Sequence, residues 1–412
     1  MSVTISGQHA PHPWFTVKDD ELVVAGRKIS EIAAEVGRTP FYVYDKSVMN
    51  LKVEQLRAVL PKEIALNYAM KANPMPDVVK HMVSLTDGVD VASAQEMDVA
   101  ISAGAQPQHV SLAGPGKTES ELHRAAAAGI TVHVESEREI RVLDQYAKTT
   151  GCKTRIAIRV NPDFELKSSG MKMGGGPKQF GIDAEQVPQV LRDLESTQLE
   201  FIGFHIYSGS QNLRPESIIE AQTKTVNLAI ELAKHAPIQV THLNIGGGFG
   251  IPYFPGDQLL DLSLLKEHFQ NLVVQTRDAL PKAKPIIELG RYLVGEAGVY
   301  VCKVIDRKIS RGQVFLVTDG GLHHHLAASG NFGQVIRKNY PVVIANKIQG
   351  RKREIASLVG PLCTPLDLLA DRMELTEAQE GDLVAVLQSG AYGLTASPIQ
   401  FLSHPQPTEL LL

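Results

Sequence analysis

Cysteine is scarce in this chain: Cys152, Cys302 and Cys363 are the only three in 412 residues, and none forms a CxxC pair. An odd, scattered set excludes a disulfide framework and a zinc site, and it indicates a reducing, cytoplasmic compartment. Surplus positive charge is missing as well, with 41 Lys+Arg against 45 Asp+Glu and a formal net charge of -4. That balance argues against nucleic acid or an anionic membrane as a partner and in favour of small or neutral ligands. No uninterrupted apolar run approaches the roughly 20 residues of a membrane span, and residues 1–14 mix His, Pro and polar side chains without an apolar signal core. The expected protein is soluble. Low-complexity tracts and repeats of about 20 to 50 residues are also absent.

The length is ample for two domains, or for one large barrel with an addition. Residues 1–20 read as a loosely held arm, and 21–25 and 40–44 as short strands. After Asp45 an alternation sets in, in which an apolar run is followed by a polar or glycine break and then by a stretch of helical periodicity. Eight strand-like runs can be counted, at 64–69, 88–92, 110–113, 130–134, 155–160, 201–207, 241–245 and 285–289. Three junctions carry a capping-box pattern, Ser93/Glu96, Thr118/Glu121 and Ser136/Glu139, which starts a helix directly after a strand. The expected fold is α/β: a (β/α)8 TIM barrel over 45–294, with an open doubly wound sheet as the alternative. From about Gly295 short alternating runs predict an all-β domain over 295–412. Its sheet is expected to recruit the N-terminal strands around Val23 and Tyr42, within residues 1–44.

In a barrel of this kind the chemistry sits at the carboxyl ends of the strands. Those ends carry Lys71, Asp90 with Ser93, Gly114, Glu135, Arg159 with Asn161, His205 with Ser208, Gly246 to Gly248, and Glu288 with Gly290 and Arg291. Each has a plain structural reading; a terminal lysine meets solvent, and a lone strand histidine is usually core. Together they offer an amine nucleophile, a flat ring, an anionic acceptor and a glycine-rich anion cradle. A cofactor with both an aldehyde and a phosphate, pyridoxal phosphate, would use all four. Two other nucleotide motifs fail: Gly246 to Ile251 does not give GxGxxG, and Gly116-Lys117-Thr118 has Ser111 where a P-loop needs its leading glycine.

These residues resemble the pyridoxal-phosphate decarboxylases of the ornithine/diaminopimelate decarboxylase type, which join an alanine-racemase-like barrel to a C-terminal β domain. The likeness spans about 39–401. It rests on Tyr68-Ala69-Met70-Lys71-Ala72-Asn73, His205-Ile206-Tyr207-Ser208-Gly209-Ser210-Gln211, Gly246-Gly247-Gly248-Phe249-Gly250, Glu288-Leu289-Gly290-Arg291-Tyr292, Gly360-Pro361-Leu362-Cys363 and Gly390-Ala391-Tyr392-Gly393. The resemblance implies that Lys71 is the Schiff-base lysine, His205 the ring-stacking residue and Glu288 the partner of the pyridine nitrogen. It implies that Ser208, Gly247, Gly248, Gly290, Arg291 and Tyr392 hold the phosphate, with Asp90 and Arg159 beside the cofactor. Cys363 would be the acid that returns a proton to Cα, reaching in from the second subunit of a homodimer.

The departures bear on substrate. In the lysine-pathway and ornithine enzymes an acidic residue follows this cysteine and grips the distal amine; here it is Thr364. Asp367 keeps its family place and is expected to compensate in part. Arg337 is a candidate carboxylate ligand, and Arg291 and Tyr392 complete the expected substrate contacts. The stretch from Met171 to Gly181 and the run Gly320-Gly321-Leu322-His323-His324-His325 resemble a subgroup acting on amino acids tethered to an acyl carrier protein, of the butirosin glutamyl-carrier-protein decarboxylase type. Lys172 and Lys178 are candidate contacts to such an acidic carrier. The expectation is therefore α-decarboxylation of an amino acid on a carrier protein. A diaminopimelate or other free amino-acid decarboxylase, a racemase and a non-catalytic binding relative are the alternatives. Three adjacent histidines cannot all face one ion, so no metal is expected.

Overall fold

The structure is a computed structural model that describes His9 and residues 12–164, 171–172, 174–334 and 336–412; of Met171 and Lys172 it describes the main chain only. Most of the predicted arm before His12, the Lys172 side chain and Met173 lie outside the described residues. Two compact units divide the chain. One comprises Lys52–Gly250 and Leu260–Gly290; the other comprises the described residues up to Leu51, together with Ile251–Leu259 and Arg291–Leu412.

The first unit is a closed parallel barrel of eight strands: β1 Ala65–Ala69, β2 Gly88–Val91, β3 Val110–Leu112, β4 Thr131–Val134, β5 Arg155–Asn161, β6 Glu200–Ile206, β7 His242–Gly247 and β8 Lys284–Leu289. Each pairs with the next, and β8 returns to β1 through Glu288 opposite Asn67. All eight predicted runs are strands, with ends shifted by a residue or two. β1 to β4 are buried at every position, which is why they read as unbroken apolar runs rather than as alternation. The Ser and Thr caps work as predicted: Ser93, Thr118 and Ser136 each accept the amide three residues on. Only Thr118/Glu121 closes the full reciprocal box. Glu96 instead caps the amide of Ala92 and Glu139 that of Glu135.

The second unit is built on a sheet whose longest strand, Gly298–Ser310, pairs with Phe41–Tyr44 and Leu383–Val386 along its first half and with Gln313–Thr318 along its second. Arg353–Val359 and Leu368–Thr376 extend one side, Val342–Ile344 the other, and Thr408–Leu411 lies parallel to Phe41–Tyr44. Of the two expected N-terminal strands, the one around Tyr42 joins this sheet. The one around Val23 does not. Positive φ angles at Asp19, Asp20, Ala25 and Gly26 turn the chain after every few residues, so Glu21–Val24 pairs with Thr16–Lys18 and Arg27–Lys28 in a small sheet of its own.

Candidate active site

Lys71 is delivered by a strand that stops abruptly. β1 gives way to a single 3-10 turn, Met70–Ala72, fixed by the Tyr68 hydroxyl donating to the Asn73 carbonyl at 2.8 Å and by the Met75 amide donating to Asn73 Oδ1 at 3.2 Å. Pro76 then opens the next helix, Pro76–Val83, where a missing amide costs nothing. The Lys71 side chain is 47% exposed; its Nζ lies 3.9 Å from Glu288 Oε1 and 5.8 Å from the Tyr207 ring centroid.

Glu288, the penultimate residue of β8, is buried, yet its carboxylate has polar company. Asn244 Nδ2 donates to Oε2 at 3.3 Å, and His205 Nε2 is 3.4 Å from the same oxygen. Neither His205 ring nitrogen has a hydrogen-bond partner among the described residues. Burial, then the nearby His133, holds this imidazole well below its usual pKa, so it is a neutral ring. His133 packs against it at 4.6 Å between centroids, and His242 against His133 at 5.3 Å, forming a buried imidazole column inside the barrel. Asp90 accepts from the Ser111 hydroxyl, and burial followed by the Glu288 charge pushes its carboxyl well above the usual range. A buried carboxylate beside a neutral ring and a lysine is thus the arrangement around Lys71.

The glycines have a packing task first. A Cβ on Gly247 would strike the Glu288 carbonyl, and one on Gly248, at φ +76°, would strike that of Gly209 beside buried Ser208. On Gly290 it would sit 2.8 Å from the Ala69 carbonyl. Bare main chain is what remains at these strand ends.

Arg159 stacks on Phe180 at 5.0 Å and donates to Glu135 Oε1 at 2.8 Å. Glu135 also accepts the amides of Gly114 and Gly181, at 2.6 and 3.0 Å. Lys117 joins this buried group, 3.0 Å from Glu139 and 3.9 Å from Glu135. The lysine of the apparent P-loop is therefore an internal ion-pair partner. The sequence placed Glu139 in a capping box and Lys117 in a failed P-loop but did not show their pairing, and it did not single out His133, although His133 breaks the apolar run of β4 and was a readable signal.

The other predicted residues belong to the second unit. Arg291 donates to the Tyr253 hydroxyl at 2.8 Å and lies 4.6 Å from the Tyr392 ring centroid, so these two expected phosphate ligands are neighbours; Tyr253 had no sequence signal. Cys363 is exposed. Thr364 Oγ1 accepts the Leu366 amide at 3.3 Å. Asp367 is buried, with Oδ1 accepting the Leu322 amide at 2.6 Å and Oδ2 the Leu362 amide at 2.8 Å, so it clamps two loops. Arg337 donates to the Leu368 carbonyl at 2.5 Å. His325 Nε2 bonds Ser389 Oγ at 2.8 Å, His324 Nε2 the Pro405 carbonyl at 3.0 Å, and His323 packs on His404.

A family model described as "Pyridoxal-dependent decarboxylase, pyridoxal binding domain" matches residues 47–295. The chain belongs to this family. It is a pyridoxal-phosphate-dependent decarboxylase, a carboxy-lyase. It is 40% identical over 390 residues to the L-glutamyl-(BtrI acyl-carrier protein) decarboxylase of Niallia circulans, covering 93% of this chain and 91% of that protein. It is 35% identical to the diaminopimelate decarboxylase of Aquifex aeolicus, covering 97% and 93%. A solved Aquifex aeolicus structure superposes with a TM-score of 0.84 at 33% identity, over 97% of this chain and 92% of that one. Diaminopimelate decarboxylase from M. jannaschii with L-lysine shares the fold at 0.88 and 24%, over 99% and 94%. The residues of the decarboxylase fit its cofactor: Lys71 offers the amine, His205 a neutral ring with unsatisfied nitrogens, and Glu288 a buried carboxylate.

Proposed function

We propose that this decarboxylase removes the α-carboxylate of an amino acid held on an acyl carrier protein, working as a homodimer in the cytoplasm. The observation that carries this reading is Thr364. An uncharged hydroxyl, already accepting a backbone amide, follows Cys363 where relatives that grip a distal ammonium are expected to have an acid. Asp367 accepts the Leu322 and Leu362 amides, one on each oxygen, which holds it between two loops. A substrate whose far end is tethered rather than cationic suits this site, and the 40% identical relative is named for such a substrate. Free thiols at Cys152, Cys302 and Cys363 accord with a reducing compartment, and among the described residues no helix is long and apolar enough to cross a membrane.

Bound pyridoxal phosphate supplies a conjugated ring that takes up the electron pair left when carbon dioxide departs. Lys71 binds it through Nζ, and Glu288 holds a proton at the ring nitrogen. His205, being neutral, covers a ring face without competing for that charge. Ser208, Gly247, Gly248, Gly290, Arg291 and Tyr392 would hold the phosphate, and Asp90, bonded to Ser111, and Arg159, bonded to Glu135, would lie beside the cofactor. The Cys363 thiol, exposed on its own subunit, donates the proton that replaces carbon dioxide at Cα in the partner's site.

Mass spectrometry on a glutamyl carrier protein and on meso-diaminopimelate tests the assignment. Loss of carbon dioxide is expected from the first and not from the second; the reverse result would return the enzyme to the diaminopimelate group. Lys71→Ala is expected to abolish both turnover and the visible absorption of the bound cofactor, and a variant that kept either would remove Lys71 from its role.

A further inference from the structure

In the second unit a cavity of about 410 Å³ is lined by Pro255, Arg337, Lys338, Asn339, Asp371, Arg372 and Met373. Three cations face it against one carboxylate, in a chain whose net charge is -4. Two features make this more than a solvated cluster. Arg337 is half-buried; one guanidinium nitrogen donates to the Leu368 carbonyl, and Nε is buried without a partner among the described residues. A guanidinium stays charged, so its desolvation is left partly uncompensated until an anion arrives. Arg372 is placed by a β-bulge: Asp371 and Arg372 together oppose Ser357, and Arg372 takes a left-handed φ of +43°. The bulge is locked by the Arg372 amide donating to Ser357 Oγ at 3.0 Å and by Asn339 and Asp371 exchanging hydrogen bonds at 2.8 and 2.9 Å. Bulges of this kind re-aim a side chain. The one carboxylate is occupied from both sides, by Ser357 Oγ at 3.3 Å and by Arg372 Nε at 3.7 Å.

We propose that Arg337, Lys338 and Arg372 bind the phosphate of the phosphopantetheine arm on which a carrier protein presents its amino-acyl group. The proposal rests on the carrier-bound reading above and gives it an anchoring point. Guanidinium groups match a phosphodiester in shape and charge. Packed side chains link this cavity to Arg291: Lys338 Nζ lies 5.4 Å from the Phe254 ring, Phe254 packs on buried Tyr253 at 6.0 Å, and Arg291 donates to the Tyr253 hydroxyl.

Calorimetry on the holoenzyme with 4'-phosphopantetheine, pantetheine and inorganic phosphate tests the site without requiring turnover. Phosphopantetheine is expected to bind at least about tenfold more tightly than pantetheine. Arg372→Gln and Lys338→Gln, both at exposed positions, are expected to erase that difference and leave pantetheine binding as it was. Equal binding of the two compounds by the wild type, or an advantage that survives both substitutions, would overturn the proposal. Inorganic phosphate matching phosphopantetheine would overturn it too, marking a general anion site. Turnover of glutamyl-pantetheine is the separate control: its absence would count against the carrier-bound reading, whereas phosphate-dependent binding reports on this cavity alone.

Discussion

Two histidine triplets teach opposite lessons. His323, His324 and His325 are adjacent in sequence, and their rings serve three different neighbours, His404, the Pro405 carbonyl and Ser389. His133, His205 and His242 lie on β4, β6 and β7, and the closed barrel gathers them into one column ending at Glu288. Adjacency along a chain spreads side chains around a turn; alternation along strands, combined with closure, collects them. The conspicuous run secures a loop, and the dispersed set reaches the site.

Acid is expected to affect both triplets, and this is the largest effect. Burial lowers the pKa of His242 and His324 to about 4 and of His323 and His325 to about 3, and it pushes His133 and His205 well below their usual value. The unfolded chain therefore binds more protons below pH 6.5 than the folded one does. Stability is full above that pH and is lost as it falls toward about 4. Urea midpoints from pH 7.5 to 5 should show uptake of several protons on unfolding; a flat profile would mean that the buried imidazoles are hydrated.

Activity should then separate the triplets. His205→Ala is expected to lower kcat/KM about 10²-fold by removing the face that orients the cofactor ring, measured as carbon dioxide release. His325→Ala should cost about 2 kcal/mol of stability, since it deletes a buried ring and takes from the Ala328 amide the Nδ1 it donates to, while a folded sample keeps its kcat. The smallest effect belongs to His133→Phe, which preserves a flat packing surface and should change kcat less than about tenfold. A loss as large as that of His205→Ala would extend the catalytic set one residue deeper into the barrel.

Much of this was legible in the sequence, for physical reasons that can be named. Eight buried parallel strands leave eight apolar runs, and strand-to-helix junctions leave Ser and Thr caps, so both the barrel and the rim position of Lys71, His205 and Glu288 could be read directly. Contacts made by closure left no such trace. The sequence could reject a phosphate role for Lys117 but not show that Glu135 and Glu139 converge on it, and it could not show that two loop amides engage Asp367. Charge type is visible in a sequence, but the partner that neutralises it is a property of the fold. Tyr253, in an irregular segment with no periodicity, could be found only through Arg291.

The strand Phe41–Tyr44 is flanked by Gly298–Ser310 on one side and Thr408–Leu411 on the other. During synthesis it leaves the ribosome long before either neighbour exists, whereas every strand of the barrel is made in between. Its four buried residues must wait unpaired while the barrel assembles. The barrel can therefore close first, and the second unit finishes only when the last strand arrives, so a stalled chain would present this exposed edge to chaperones or to other nascent chains.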